Sequence, residues 1–274
     1  MNERTGESGF WDAAGQAERV EAAYLTPDVA RVREALLELL APQPGWRVVD
    51  LGAGPGVFAA ALVERDCRPT LVDFAASMLE RARARLGEQG EAYVQADVAA
   101  VPLPDGAFDA ACLVQVLEYV ADPVAALREA ARLVRPGGVV LAADTDWDTL
   151  AFNLADKDLG RRVARAWAST KADPWAGRRL AGWLTAAGLV PEVHQAVVLS
   201  STVRNGNTYI EHNWPHFRRL IERRGGLQSA ELDRFERGID EAEAAGGYTF
   251  ALVRHGWRAR RYPHAAEAST GRRA

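Results

Sequence analysis

The sequence has few of the features that mark secreted, membrane-embedded or metal-binding proteins. Only two of its 274 residues are cysteines, and Cys67 and Cys112 stand alone, without the spacing of a metal-ligand set or a histidine motif nearby. No apolar run approaches the ~20 residues that cross a bilayer, and the polar first residues do not resemble a secretion signal. We therefore expect a cytoplasmic protein with no disulfide, no metal and no membrane contact.

The sequence also lacks an excess of positive charge. Lys and Arg number 33 against 37 Asp and Glu, which gives a net charge of -4, so no global basic field would attract nucleic acid. The content of 48% hydrophobic and 26% charged residues is ordinary for a globular protein. We expect one main domain with a smaller cap, and no nucleic acid as a partner.

The most informative stretch is a glycine-rich turn that follows a short apolar run, residues 46–51. The three glycines are Gly52, Gly54 and Gly56, and an alanine-rich helical pattern comes next. A ligand that approaches the backbone closely needs positions without a Cβ. Val57 replaces the third glycine of a dinucleotide fingerprint, and the Lys and Ser/Thr of a phosphate loop are missing. The turn by itself therefore indicates a ligand without identifying it.

Polar residues close the next predicted strands. Asp73 ends the run 69–73, about 20 residues after the glycines, where a carboxylate can accept hydrogen bonds from ribose hydroxyls. Asp97 and Gln115 follow the third and fourth strands. Strands alternate with helices over residues 46–144, which predicts a parallel sheet whose ligands bind beyond the carboxyl ends of the strands. These residues indicate a nucleoside site, although each Asp could instead cap a helix or close a turn.

Together these motifs resemble those of class I S-adenosylmethionine (SAM) dependent methyltransferases, in particular the small-molecule type similar to quinone-biosynthesis methyltransferases. The resemblance covers residues 24–143 and rests on the motifs Asp50-Leu-Gly-Ala-Gly-Pro-Gly, Val72-Asp-Phe-Ala-Ala-Ser-Met-Leu, Ala96-Asp, Leu103-Pro, Phe108-Asp, Leu117-Glu-Tyr-Val-Ala-Asp-Pro and Leu133-Val-Arg-Pro-Gly-Gly. It implies a Rossmann-like, doubly wound α/β sheet of seven strands in the order 3-2-1-4-5-7-6. It also implies SAM as cofactor and S-adenosylhomocysteine as product.

The resemblance implies a role for each residue of the cofactor site. The glycine turn would wrap the methionine part of SAM, with Asp50 supporting its ammonium group and Asp73 binding the ribose. Phe74 and Met78 would flank the adenine, and Asp97 would bind its amino group. The full set of expected cofactor residues is Asp50, Gly52, Gly54, Gly56, Asp73, Phe74, Met78, Asp97, Val98 and, through its main chain, Gln115.

The rest of the chain is predicted to surround this core. The expected segments are an N-terminal helical arm or lid at 1–45, the SAM-binding core at 46–203, a helical cap at 204–247 inserted between the sixth and seventh strands, the last strand at 248–260 and a flexible tail at 261–274. In the cap, one helix is predicted to begin at Pro215 and another to be capped by Ser229. The insertion could cover the substrate site, or it could be a peripheral elaboration or a homodimer contact.

Aromatic residues on segments expected around the pocket indicate an aromatic or hydrophobic acceptor, or an amine bound against the rings. These residues are Trp11, Tyr24, Trp147, Tyr209 and Trp214. The candidate bases are Asp146, which is in a stretch predicted as a loop, and His212 and His216 in the cap. Each could instead be structural. The two histidines stand four residues apart, but with Pro215 between them we expect no metal site.

Missing motifs narrow the chemistry. Gln115-Val-Leu-Glu stands where methyltransferases of nucleic-acid bases carry an Asn-Pro-Pro-Tyr-like motif, and there is no Pro-Cys nucleophile. We therefore expect O- or N-methylation of a small molecule, with a role in specialised metabolism. Two alternatives stay open: a methyltransferase-fold enzyme that catalyses another reaction, such as a cyclisation, with SAM retained, or a protein or RNA methyltransferase.

Overall fold

A computed structural model describes residues 15–262. Seven strands form one sheet in the order β3-β2-β1-β4-β5-β7-β6, which confirms the predicted fold. They are β1 (Arg47–Leu51), β2 (Arg68–Asp73), β3 (Ala92–Gln95), β4 (Phe108–Val114), β5 (Val134–Phe152), β6 (Val190–Ser201) and β7 (Phe250–Arg260). The first five strands run parallel, and β7 pairs antiparallel with both β5 and β6.

Helices cover both faces of the sheet. They are α1 (Gln16–Tyr24), α2 (Pro27–Leu40), α3 (Val57–Val63), α4 (Ala76–Leu86), α5 (Pro123–Leu133), α6 (Lys157–Ala168), α7 (Ala176–Ala186), α8 (Tyr209–Leu220) and α9 (Ser229–Ala244), with a π-helical turn at Ile221–Gly225. Alternate residues of a strand point to opposite faces. In β4, Ala110 and Cys112 therefore join the core with α2, α6 and the cap, and Ala111 and Leu113 join the core with α5 and α7.

The predicted cap consists of α8 and α9, but its first helix starts at Tyr209, earlier than the sequence suggested. Thr208 caps α8, and its side-chain oxygen accepts a hydrogen bond from the backbone N–H of Glu211. Pro215 therefore lies inside the helix and does not begin it, so this prediction was wrong. Similarly, Gln228 caps α9 and Ser229 is its first residue.

The cap is also part of the main hydrophobic core. Tyr209, Phe217 and Phe235 are buried in the same cluster as Leu36 and Leu141. Because these cap residues complete the core, the cap cannot be removed without exposing apolar surface of the sheet and its helices.

The stretch 144–148 is not the loop that the sequence suggested. It belongs to β5, where Asp144, Thr145 and Asp146 pair with His255, Arg254 and Val253 of β7. Antiparallel pairing with β7 extends β5 beyond the last residue that pairs with β4, Ala143. The side chains of residues 144–147 are consequently buried at the carboxyl edge of the sheet.

Helix α1 connects the core to the cap. The Glu21 carboxylate forms ion pairs with Arg81 and Arg85 of α4, and Arg19 Nη1 donates to Asn213 Oδ1 of α8 over 2.5 Å. The arm thus reaches across the carboxyl edge of the sheet, and its movement as a lid stays a prediction. Within residues 15–262, no helix is long and apolar enough to cross a membrane.

Candidate active site

The glycine turn between β1 and α3 has a backbone that favours glycine at three positions. Gly52, Gly54 and Gly56 have φ values of 75°, 53° and 73°, in the left-handed region that L side chains seldom adopt. A Cβ on Gly52 would also lie 2.5 Å from Val116 Cγ2, whereas a Cβ on Gly54 would meet nothing within 4 Å. The turn is therefore tightly packed below Gly52 and open at Gly54.

Asp73 holds this turn in place. Its Oδ2 accepts from the backbone N–H of Gly54 and its Oδ1 accepts from that of Ala75, each over 2.9 Å. Each carboxylate oxygen has a second acceptor site. The same side chain can therefore position the turn and accept a hydrogen bond from a ligand hydroxyl.

Asp50 is a buried carboxylate at the end of β1. Its side chain is only 2% exposed, and its Oδ2 has no hydrogen-bond partner among the described residues. Burial, with a smaller contribution from the charge of Asp73, raises the pKa of Asp50 to about 7. An unpaired buried carboxylate is costly, and a ligand ammonium group would satisfy it.

The residues expected around adenine lie at the adjacent strand ends. Phe74 is 40% exposed, and Met78 is buried against Ala17 and Ala75. Asp97 is exposed, with its Oδ1 accepting from the backbone N–H of Ala99 over 2.9 Å. Val98, next to it, is buried. The carboxyl ends of β2 and β3 thus carry this whole group, and its contacts with adenine stay predictions.

Gln115 is the last of the expected cofactor residues, which lie at the carboxyl edge of the sheet and which we call the cofactor edge. Its backbone conformation is strained. Its φ is 59°, which is unusual for a residue other than glycine. Its backbone N–H donates to the carbonyl of Ala143 over 2.7 Å, and its Oε1 accepts from Thr145 Oγ1 over 2.6 Å. Observed strain of this kind supports a functional role for the position.

A second group of residues, which we call the acceptor cluster, lies beside the cofactor edge. It comprises Arg19, Tyr24, Glu118, Tyr119, Asp144, Trp147, Trp167, Lys171, Tyr209 and Arg254. The sequence predicted three of its aromatic members, Tyr24, Trp147 and Tyr209. The three cations Arg19, Lys171 and Arg254 were not among the predicted site residues.

Lys171 occupies an aromatic cage in this cluster. Its Nζ lies 4.4 Å from the ring centroid of Trp167, 4.8 Å from that of Trp147 and 4.9 Å from that of Tyr119. It also donates to the Tyr119 hydroxyl over 3.1 Å. Burial lowers the pKa of Lys171. A signal was present in the sequence, because Lys171 is one of only two lysines in a chain whose other basic residues are arginines.

Arg254 of β7 is the most deeply buried cation of the cluster, at 2% exposed. Its guanidinium carbon lies 5.0 Å from the ring centroid of Tyr209 and 5.9 Å from that of Tyr24. Its Nε donates to Thr145 Oγ1 over 3.3 Å. Its Nη2 is buried and has no hydrogen-bond partner within residues 15–262, so this guanidinium has an unused donor in the described part of the chain.

Two buried carboxylates belong to the same cluster. Glu118 accepts a hydrogen bond from Trp147 Nε1, and Asp144 Oδ2 accepts from the backbone N–H of Leu117 over 3.0 Å. Burial and the charge of Glu118 raise the pKa of Asp144 well above its usual range. Asp144 Oδ1 has no partner among the described residues. Burial therefore favours the protonated form of Asp144.

The candidate bases from the sequence are differently placed. Both oxygens of Asp146 accept from Arg178, over 2.7 Å from Nε and 2.6 Å from Nη2. A carboxylate held in this bidentate pair is poorly placed to accept a proton, so the structure does not support Asp146 as the base.

The two cap histidines lie on one helix, because α8 begins before both of them. Burial and the charges of Arg19, Lys171 and Arg219 lower the pKa of His216 to about 3, which keeps its imidazole neutral and makes it a weak base. His212 is half-buried, and its role stays a prediction. Within residues 15–262, no group of three His, Cys, Asp or Glu side chains could hold a metal ion.

Trp214 lies apart from the acceptor cluster. Its Nε1 donates to Glu236 Oε1 over 2.7 Å, and its ring lies against Phe235 with 4.9 Å between centroids. Trp214, Phe235 and Glu236 line a cavity of about 220 Å³ between α8, α9 and the ends of β5 and β7. Trp214 thus lines this cavity, whereas Tyr209 belongs to the acceptor cluster. Trp11, another residue predicted to bind the substrate, lies outside the described residues.

Comparison with known proteins gives matches over the part of the chain that contains the glycine turn. Residues 49–142 match the family described as a methyltransferase domain. A malonyl-[acyl-carrier protein] O-methyltransferase from Serratia marcescens is 38% identical over 141 residues, which are 52% of this chain and 52% of that protein. A demethylmenaquinone methyltransferase from Beutenbergia cavernae is 35% identical over 140 residues, 48% of this chain and 58% of that protein.

The likeness to solved structures concerns the fold alone. The [4+2]-cyclase SpnF aligns with a TM-score of 0.56 and 22% identity, covering 86% of this chain and 82% of that one. The chain spans about half the length of the curated relatives it matches. The family match ends at Ala142, before Asp144, Lys171 and Arg254, so it includes most of the cofactor edge but few residues of the acceptor cluster.

Proposed function

We propose that the chain is a class I SAM-dependent methyltransferase, an enzyme that transfers a methyl group from SAM to a small-molecule acceptor by O- or N-methylation. The match to a methyltransferase domain and the two relatives named as methyltransferases support this proposal. The observation that carries it is the Oδ2 of Asp50, which is buried beside the open glycine turn and has no hydrogen-bond partner among the described residues. The relatives named as methyltransferases of malonyl-[acyl-carrier protein] and of demethylmenaquinone support a small or carrier-bound acceptor.

The cofactor-edge residues fit SAM. Asp50 would pair with the ammonium group, the backbone at Gly52 and Gly54 would accommodate the methionine part, and Asp73 would accept from the ribose hydroxyls. No phosphate has to be bound, which agrees with Pro55 in the turn, since proline has no backbone N–H. When bound, SAM supplies a methyl group activated by its positively charged sulfur and leaves as S-adenosylhomocysteine.

The chain's own contribution is chiefly positioning and exclusion of water. Helix α1 and the cap enclose the acceptor cluster, and rigid alignment of two reactants can supply ~7 to 11 kcal/mol in favourable intramolecular comparisons. Trp147 and Trp167 would provide apolar walls for the acceptor. An acceptor that must lose a proton would need a base, and Asp144, whose Oδ1 has no partner among the described residues, could serve only in its ionised form.

Label transfer tests the proposal directly. Purified protein and methyl-labelled SAM would be incubated with an extract of the source cells, which is then separated into small molecules, protein and RNA. We expect label in the small-molecule fraction. Label confined to protein or RNA would contradict a small-molecule acceptor and favour a protein or RNA methyltransferase. SAM binding without any transfer would favour a non-methylating reaction such as a cyclisation. The cytoplasmic location and the homodimer stay predictions.

A further inference from the structure

Three cations of the acceptor cluster lack the carboxylate partners that other arginines of the protein have. Arg81, Arg132 and Arg178 each form ion pairs. Within residues 15–262, Arg19 donates to the neutral side chains of Gln16 and Asn213, and neither it, Lys171 nor Arg254 forms an ion pair with a carboxylate. Arg254 is buried, and burying an uncompensated charge costs several kcal/mol in a protein interior; Arg19 and Lys171 are half-buried.

These cations are close neighbours in the fold. Tyr24 and Tyr209 lie beside Arg254 and are also within electrostatic range of Arg19. Arg19 is in turn within electrostatic range of Lys171. Residues from α1, from the segment after α6 and from β7 thus place three positive charges around one group of aromatic rings.

The nearby carboxylates do not cancel this charge. Glu118 and Asp144 are the two buried acidic groups of the cluster, so even if both are ionised the five groups carry a surplus of one positive charge. Burial and the charge of Glu118 favour the protonated form of Asp144, which would increase the surplus, whereas burial lowers the pKa of Lys171 and of Arg19 and acts in the opposite direction. The case for an anion therefore depends chiefly on the buried guanidinium of Arg254 and its unused donor. Burial also raises the pKa of Tyr24, Tyr119 and Tyr209, so their hydroxyls stay protonated and can donate hydrogen bonds.

We propose that the acceptor carries a carboxylate, and that Arg254, with the hydroxyl groups of Tyr24 and Tyr209 nearby, binds it. The unused Nη2 donor of Arg254 supplies a charge-assisted hydrogen bond, which is about twice as strong as a neutral one. Arg19 and Lys171 add favourable charge, and the rings of Trp147 and Trp167 hold the apolar part of the acceptor. This inference rests on the proposed function and narrows the class of acceptor. A cationic amine, one of the acceptors expected from the sequence, would be repelled.

Equilibrium binding tests the inference without turnover. Phenylacetate, phenylacetamide and phenethylamine share a ring and a similar length but carry an anionic, a neutral and a cationic group. Each would be titrated into the protein loaded with S-adenosylhomocysteine, and the quenching of tryptophan fluorescence would be measured. We expect the acid to bind about tenfold more tightly than the amide, and the amine to bind most weakly.

Two variants assign this preference to a residue. Arg254→Gln should reduce the preference for the acid over the amide to less than about twofold. Arg223→Gln, which changes an exposed arginine of the π-helical turn, should keep it. Equal binding of acid and amide by the wild type, or a full preference in Arg254→Gln with a normal melting temperature, would overturn the inference.

The natural acceptor provides an independent test. The source-cell extract would be passed over an anion exchanger at neutral pH before incubation with labelled SAM. We expect the acceptor in the retained fraction, and an acceptor found only in the unretained fraction would contradict the inference. No transfer with any fraction would count against the proposed function, and the titrations would still decide whether the anion subsite exists.

Discussion

The cofactor edge and the acceptor cluster are built in different ways. At the cofactor edge, the backbone of the glycine turn forms the cradle, and Asp73 fixes it through a hydrogen bond of 2.9 Å from the backbone N–H of Gly54. In the acceptor cluster, side chains from α1, β5, β7, α8 and the segment after α6 form the walls, and cations lie among aromatic rings. A cradle of backbone suits a ligand that does not vary. A cluster of side chains can be altered one residue at a time to suit a different acceptor.

This difference between the two regions predicts that some substitutions weaken only the binding of SAM and others only the binding of the acceptor. The largest effect is expected from Gly52→Ala, because a Cβ would lie 2.5 Å from Val116 at a φ of 75°. We expect loss of measurable SAM binding in calorimetric titrations. Gly182→Ala is a matched control, since a Cβ there meets nothing within 4 Å and should stabilise α7 by roughly 0.5 to 1 kcal/mol.

Asp73→Ala removes the anchor of the turn and the proposed ribose acceptor together. We expect SAM affinity to fall at least about tenfold, since charge-assisted hydrogen bonds are each worth about 1.5 to 3 kcal/mol. Asp97→Ala, at an exposed position of the same edge, should cost less. Unchanged affinity in Asp73→Ala would contradict the ribose assignment.

Lys171→Met should weaken binding of the acceptor and leave the affinity for SAM unchanged. The methionine can fill the cage of Trp147, Trp167 and Tyr119 but removes its charge and the hydrogen bond to Tyr119. We expect the acceptor concentration at half-maximal rate to rise about fivefold to tenfold, with SAM affinity unchanged within twofold. A matching fall in SAM affinity would mean that the two regions are not separable.

A pH titration gives the smallest expected effect. Asp50, with a pKa of about 7, loses its proton as pH rises, and only its ionised form pairs with an ammonium group. SAM affinity should therefore increase severalfold between pH 6 and pH 8, and Asp50→Asn should flatten this dependence. A profile of the same slope in Asp50→Asn would assign the titration to another group.

The same shift predicts a stability change of the ligand-free protein in the opposite direction. In the unfolded chain Asp50 ionises near pH 4, whereas in the folded protein it holds its proton up to about pH 7. The contribution of Asp50 to stability therefore decreases as pH rises from about 4 to about 7. Asp50→Asn should thus melt at a higher temperature than the wild type at pH 8, measured without ligand.

The sequence predicted the positions of Gly52 and Asp73 in the fold because their signals are local. Gly52 directly follows β1 and Asp73 ends β2, and their spacing follows from one β-α-β unit. The acceptor cluster could not be predicted in this way, because Arg19, Lys171 and Arg254 are far apart in sequence and share no motif. The stretch 144–148 was misread for a related reason, since β7 extends β5 only through pairing across more than 100 residues.

Calorimetric titration of S-adenosylhomocysteine into the purified wild-type protein at pH 8 tests the central claim most directly. The account predicts binding at one site per chain, with affinity reduced at least about tenfold in Asp73→Ala and little changed in Lys171→Met. No heat of binding to folded wild-type protein, or equal affinity in Asp73→Ala and wild type, would contradict the claim that the glycine turn and Asp73 form a SAM site.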